Sequence, residues 1–356
     1  MQKKERKQLK LPFFQPTFID LFSGIGGLSL GFKKAGFIPK FAFDRNCKVL
    51  EVYKRNIKPL LAICADYQEL DISKIPKCDI VIGGPPCQGF SKINRVKYKD
   101  EYKKLNDGVI FFANVVAYLK PKLFLFENVS TTIKTPQFKY LLENLKDFRI
   151  EYKIVDLGLY GGGPWEPKQP LTHRKRLIAI GIRKDIDKGL DLFPIPISDK
   201  PLPIDEILKI SKEVIEKDLN KRRYRQIPKR LKPLLPYIER GKNRLDIPKE
   251  LHKYFYETWL KNPRAYRDSF TRCGVGKPLP YVTGGILTAD KGRYIHPTED
   301  RGFTAEEAKY IMSFPQDFEF GEAALGLIEQ ALGNAVPPQA AFAFAKHIKK
   351  LLSISI

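Results

Sequence analysis

The sequence predicts an α/β protein: a doubly wound parallel sheet with a second, smaller basic domain set into the chain. Three observations carry this expectation. Short apolar runs alternate with helix-spaced stretches through the first half. A glycine-rich turn, Ser23-Gly24-Ile25-Gly26-Gly27, joins the first apolar run to the first helical stretch. From about Asp185 the texture changes to proline-rich, basic and poorly periodic sequence.

In chain order, residues 18–22 (FIDLF) read as a buried strand and residues 28–35 as the start of a helix. Residues 41–43, 60–63, 79–82 and 123–126 are further candidate strands, with helical spacing over 109–119. Residues 177–182 (LIAIGI) read as the last strand of this domain. Prolines at 194, 196, 201 and 203 then mark a connector, since repeated prolines block both helix and sheet interior. Residues 200–300 hold 23 Lys/Arg against 13 Asp/Glu, interleaved with Tyr224, Tyr237, Tyr254, Phe255, Tyr256, Trp259, Tyr266 and Phe270. That pattern suits a recognition module better than a catalytic sheet. Residues 304–351 turn helical again around a break at 333–338 (GNAVPP).

At 356 residues and 43% apolar, the chain has ample material for a packed core and is not a disordered chain. No eighteen consecutive apolar residues occur, and the charged first ten residues precede no secretory apolar core. A soluble intracellular protein without membrane contact is therefore expected. The net charge of +23 points to a polyanionic partner, of which nucleic acid is the commonest. The five cysteines are odd in number and form no CxxC pair, and the four histidines show no HExxH or His/Cys cluster. This argues against a disulfide framework and against a metal site, so a cysteine that matters is expected to matter as a thiolate.

Glycines 24, 26 and 27 let backbone N–H groups approach a ligand at a helix N-terminus, and Asp44, ending the next strand, can accept from ribose hydroxyls. This combination fits NAD, FAD or S-adenosylmethionine equally well. Residues 83–91 (GGPPCQGFS) follow a strand, which puts Cys87 at the carboxyl edge of the sheet, where doubly wound folds place ligands. A structural cysteine sits inside an apolar run, as Cys64 does; Cys87 does not.

These residues carry a resemblance to the DNA cytosine-5 methyltransferase family. Residues 18–27 (FIDLFSGIGG) resemble its cofactor turn, 84–88 (GPPCQ) its nucleophile loop and 126–129 (FENV) its catalytic glutamate. Arg174-Lys175-Arg176 resembles its arginine pair, and 333–338 (GNAVPP) the segment completing its cofactor pocket. The five occur in the family's order. The resemblance implies a Rossmann-like S-adenosylmethionine-dependent methyltransferase fold without a metal. The catalytic, cofactor-binding domain is expected over 1–185 plus 300–356, and a target-recognition domain over 186–299.

The implied chemistry explains the residue types. Addition of a thiolate to C6 of a cytosine makes C5 nucleophilic, and Cys87 fits that role. Glu127, with a pKa raised by burial, fits the acid near N3, and Arg176 with Arg174 fits the cations near O2. Phe22, Gly24, Ile25, Gly26, Gly27, Asp44, Asp66, Tyr67, Pro86, Ile110, Asn334 and Val336 are the implied cofactor-binding residues, with S-adenosylhomocysteine as product. The base must leave the duplex to reach Cys87. Lys92, Arg95, Lys97 and Lys99 follow on a loop expected to touch phosphate, and Arg222, Arg223, Arg225, Arg264, Arg267 and Arg272 are candidates for base readout.

The chain departs from the family pattern at several places. Thr172 stands where Gln is usual, Asp44-Arg45-Asn46 replaces Glu-x-Asp, Tyr281 precedes Thr283 where Thr is usual, Glu306 takes the place of an Arg, and 161–170 resembles an insertion. The resemblance implies a monomeric, cytoplasmic, nucleoid-associated prokaryotic enzyme acting on double-stranded DNA beside a cognate restriction endonuclease. The rivals are a tRNA cytosine-5 methyltransferase on the same fold, a nicotinamide or flavin oxidoreductase, and an inactive DNA-binding protein.

Overall fold

The computed structural model describes residues 15–86, 99–264 and 266–354, with the side chains of 99–107 left aside. The chain runs through β1 (Thr17–Leu21), α1 (Gly27–Lys34), β2 (Ile38–Asp44), α2 (Cys47–Ile57), β3 (Leu61–Cys64), β4 (Ile80–Gly83) and α3 (Lys99–Leu119). It continues through β5 (Leu123–Val129), α4 (Pro136–Asn144), β6 (Phe148–Asp156) and β7 (Lys175–Arg183). Then follow α5 (Lys212–Asn220), α6 (Glu257–Lys261), α7 (Ala305–Ile311), α8 (Leu325–Asn334) and α9 (Pro338–Ile354).

Among the described residues the strands form one seven-stranded sheet in the order β3-β2-β1-β4-β5-β7-β6. Neighbours from β3 to β5 are parallel. The strand order reverses between β1 and β4, and this switch point opens a crevice at their carboxyl ends.

The central strands are predominantly apolar on both faces, as a sheet covered on both sides requires, with Asp20 of β1 the buried exception. Phe18, Ile80 and Leu123 pack with Phe32 of α1 and Phe344 of α9, while their successors Ile19, Val81 and Phe124 pack with Phe112 of α3 on the other face. The expected parallel βαβ units run from β3 to β5, and beyond them β7 pairs antiparallel with both β5 and β6. The segment from 157 to 174 contains no α-helix to carry a crossover, so the chain returns beside its own strand. β6 is not among the apolar runs because its FRIEYKI alternates apolar and charged residues strictly, the pattern of a half-buried edge strand.

A correction concerns the cysteines. Cys47 and Cys64 form a disulfide, with Cα atoms 5.2 Å apart. The sheet explains the meeting: Asp44 pairs with Cys64 in the parallel register of β2 and β3, and α2 opens at Cys47 directly after β2. An odd cysteine count does not exclude one local bridge, and Cys64 is exposed at a strand end rather than enclosed in an apolar run.

The region 186–299 contains α5, α6 and short 3₁₀ turns. Ile227, Leu231, Leu234, Phe255, Trp259, Phe270 and Ile295 make a core of their own there. Phe255, Trp259 and Phe270 are thus packing residues. A larger core joins Ile207, Leu279 and Ile286 to Ile311, Phe314 and Leu332, welding this region to the C-terminal helices. α7 begins with a capping box between Thr304 and Glu307, and Arg301 pairs with Glu307 in the interior. Glu306 pairs with Lys309 at 2.6 Å. Among the described residues no helix is long and apolar enough to cross a membrane.

Candidate active site

The crevice at the switch point is a cavity of about 630 Å³, within the usual range for small-molecule sites. β1 delivers Phe22 and the glycine turn to it, β2 delivers Asp44, β4 delivers Gly84, Pro85 and Pro86, and β5 delivers Glu127. Tyr67, Arg176, Asn334 and Val336 complete it, joined by Thr283, which enters from the basic region.

The glycine turn is fixed by its own acid. Gly24 at φ +54° donates its N–H to Asp44 Oδ2 at 2.9 Å, and a Cβ there would meet nothing within 4 Å. The other Asp44 oxygen accepts from Asn46 N at 2.9 Å. Burial holds the Asp44 carboxyl above its ordinary pKa, against these two N–H donors. Gly27 is required for another reason: a Cβ would lie 2.2 Å from Val336 O, so the C-terminal segment rests directly on the turn. Phe22, itself at φ 64°, packs edge-on against Phe43 and Phe111 and tilts against Tyr67 to make an aromatic wall.

A nucleoside carrying a polar amino-acid tail fits this cavity. The wall offers an aromatic surface and an acid, the glycine turn leaves room at Gly24, and Ser23 Oγ is buried without a hydrogen-bond partner among the described residues.

Glu127 and Arg176 meet because β5 and β7 are antiparallel. Val129 is opposite Arg176, so Glu127, two residues earlier, projects on the same face. Arg176 Nε is 3.0 Å from Glu127 Oε1. Burial raises the Glu127 pKa, while Arg176 and Arg174 pull it back. Two supporting residues were not singled out from sequence. Asn128 donates from Nδ2 to Pro85 O at 3.1 Å and accepts from Thr132 Oγ1 at 2.9 Å, pinning the backbone that leads into Cys87. A Cβ on Gly84 would be 2.9 Å from Glu127 Oε2, so a side chain there would displace that carboxylate.

Other expected residues are placed differently. Arg174 is 3% exposed and turned from the cavity: Nη2 donates to Gly333 O at 2.9 Å and Nη1 to Val282 O at 3.5 Å. It braces the C-terminal segment and the basic region against β7. Asp66 caps a 3₁₀ turn, its Oδ1 accepting from Gln68 N at 3.1 Å, and does not line the cavity. Gly26 packs under Tyr53 and Ile57, and Ile110 also stands outside the lining, whose aromatic wall is backed by its neighbour Phe111. Thr172 is fully buried and bonds His173 O. In the 161–170 stretch, Trp165 Nε1 donates to Ser313 O just after α7, and Gln339 Nε2 of α9 donates to Trp165 O, fastening the stretch to both. Cys87, Lys92, Arg95 and Lys97 lie outside the described residues, as does the Lys99 side chain.

Among the base-readout candidates, Arg272 is committed internally: it donates to Ile238 O, His296 O and Glu299 O and pairs with Asp300. A guanidinium so enclosed cannot reach a groove. Arg225 pairs with Glu329 at 2.8 Å and Arg223 donates to Gly321 O. Arg222, Arg264 and Arg267 are exposed.

The family model for the C-5 cytosine-specific DNA methylase matches residues 16–350. The type II methyltransferase M.NgoFVII of Neisseria gonorrhoeae is 30% identical over 99% of this chain and 91% of its own length. M.PspPI of Psychrobacter sp. (strain TA137), also a type II methyltransferase, is 30% identical over 95% of this chain and 80% of its own. Among solved structures, a DNA modification methyltransferase encoded within an E. coli prophage superposes with a TM-score of 0.65 at 22% identity, covering 95% of this chain and 100% of that one.

Proposed function

The chain belongs to the C-5 cytosine-specific DNA methylase family, and from that premise we propose that it methylates C5 of a cytosine at a short specific sequence in duplex DNA, with S-adenosylmethionine as donor. One observation carries the reading: the buried Glu127 carboxylate and its half-buried partner Arg176 open onto the same cavity as the glycine turn and the Pro85-Pro86 segment that leads into Cys87.

Phe22, Gly24, Asp44, Tyr67, Asn334 and Val336 would hold the cofactor, which when bound supplies an electrophilic methyl group on a sulfonium. Cys87, as thiolate, adds to C6 of a cytosine turned out of the duplex, and the electron pair of the C5–C6 bond becomes available at C5. Glu127 holds a proton at N3, where negative charge builds. Arg176 fixes the Glu127 carboxyl and adds positive charge beside O2. Transfer of the methyl group to C5 releases S-adenosylhomocysteine. The C5 proton then passes to a water molecule, its C–H electron pair re-forms the C5–C6 double bond, and the C6–S bond breaks with its pair on sulfur so that Cys87 returns as thiolate. Arg174 and Asn128 are positioning residues in this scheme.

Sequence recognition belongs in this reading to residues 186–299, with catalysis in 1–185 and 300–356. A cytoplasmic, monomeric enzyme that protects DNA from a companion endonuclease is the corresponding biology. The test offers the purified full chain labelled S-adenosylmethionine together with unmethylated genomic duplex DNA or bulk tRNA. Label at C5 of DNA cytosine is expected; label in tRNA alone would replace this reading with the RNA one.

A further inference from the structure

The basic region fixes one short stretch of its surface with a buried charge. Arg244 is 2% exposed, its guanidinium 5.6 Å from the Trp259 ring centroid and 6.0 Å from that of Phe255. It donates from Nε to Tyr266 O at 2.9 Å and from Nη2 to Pro263 O at 2.7 Å. No carboxylate among the described residues pairs with it, and burial lowers its pKa. An enclosed guanidinium is costly unless its donors are used. Here they are directed at carbonyls that bracket Arg264.

Arg264 and Arg267 are exposed, and neither has a hydrogen bond or ion pair among the described residues. After Arg267 the chain is anchored again. Asp268 pairs with Arg293 at 2.8 Å and accepts from Tyr281 OH at 3.2 Å, and Tyr281 is two residues from Thr283 in the cavity wall. Pro263 and Tyr266 are thus held by Arg244, and Asp268, next after Arg267, is tied to the chain that enters the active site. Arg222 shares their exposure but not this brace.

We propose that Arg264 and Arg267 read base edges of the target sequence, that the bases read are guanines, and that Arg244 is the positioning residue that holds them for it. The inference rests on the reading that residues 186–299 recognise DNA. A phosphate contact is made as well by a mobile lysine as by a fixed arginine. A bidentate contact to guanine O6 and N7 needs the planar fork of Arg in a defined orientation. The carbonyls of Pro263 and Tyr266, held by Arg244, give those two forks a fixed base from which to reach.

The test begins by mapping the sequence methylated by the wild type in the genomic DNA of a methylation-free host. Arg264→Ala, Arg267→Ala and Arg244→Met are then compared on a duplex carrying that sequence and on its single-base variants, as ratios of kcat/KM at fixed salt. Each Ala variant should lose discrimination at a guanine of the motif by about 10- to 100-fold. Arg244→Met should relax the same positions while still unfolding in a cooperative transition. An unchanged motif overturns the proposal. So does a uniform loss on every duplex with a shallower salt dependence, the signature of phosphate contacts. Exchange of residues 186–299 with those of a relative separates the two levels. If the motif does not follow the exchanged region, the regional reading falls with the proposal; if it follows and the arginine variants keep the motif, the arginine assignment alone falls.

Discussion

Glu127 is under two opposing influences, burial at the end of β5 driving its pKa up and the guanidiniums of Arg176 and Arg174 drawing it back. The net direction is upward, toward the protonated acid the proposed chemistry needs at N3. Glu127→Gln keeps the shape and loses the transferable proton, so turnover should fall by about 10²- to 10⁴-fold with DNA affinity retained. Single-turnover methylation beside a binding titration measures both, and wild-type turnover in this variant would remove Glu127 from the mechanism. Asp20 offers a stability test. Its Oδ2 accepts from Ser29 Oγ at 2.5 Å, that hydroxyl is 2.8 Å from Tyr53 OH, and burial raises the carboxyl pKa to about 7. A folded-state pKa above the unfolded value means the contribution is complete below pH 3.8 and is lost as pH rises through about 7. Its size is on the order of 4 kcal/mol. Asp20→Asn should remove that part of the slope in urea unfolding between pH 4 and 8; profiles of equal slope would contradict it.

At the scale of elements, the mostly apolar runs at 18–22, 41–43, 79–82 and 123–126 mark β1, β2, β4 and β5, because strands buried on both faces need predominantly apolar sequence, with Asp20 the buried exception. β6 carries a different signal, strict alternation of Phe148, Ile150, Tyr152 and Ile154 with Arg149, Glu151 and Lys153, which a search for unbroken apolar runs passes over. The Cys47–Cys64 bridge was not legible, because it depends on the register of β2 against β3, which no local pattern states. The bridge closes a 17-residue separation, and a loop of that size contributes about 3 kcal/mol by restricting the unfolded chain. Reductant should therefore lower the urea midpoint of the wild type and leave that of Cys47→Ser unmoved. Coincident wild-type curves with and without reductant would count against the bridge.

Across the whole molecule, the residues proposed for the site were legible because each ends a strand or follows one: Asp44 closes β2, Glu127 lies near the end of β5, and Cys87 follows β4 by four residues. What escaped is what long-range packing decides. Arg174 turns to Gly333 and Val282, residues 159 and 108 positions away, and Asn128 reaches back to Pro85. Arg272, plausible as a base reader by type and region, is enclosed by four partners. The same packing joins the basic region to the C-terminal helices through a common core, so the proposed recognition and catalytic parts share one interior. The central claim is that this molecule methylates C5 of cytosine through Cys87. Its most direct test is a map of 5-methylcytosine in the genome of a methylation-free host expressing either the wild type or Cys87→Ser. The account predicts modification at one short motif in the wild type and none in the variant. Equal modification in both strains, or none in either despite folded protein, would contradict it.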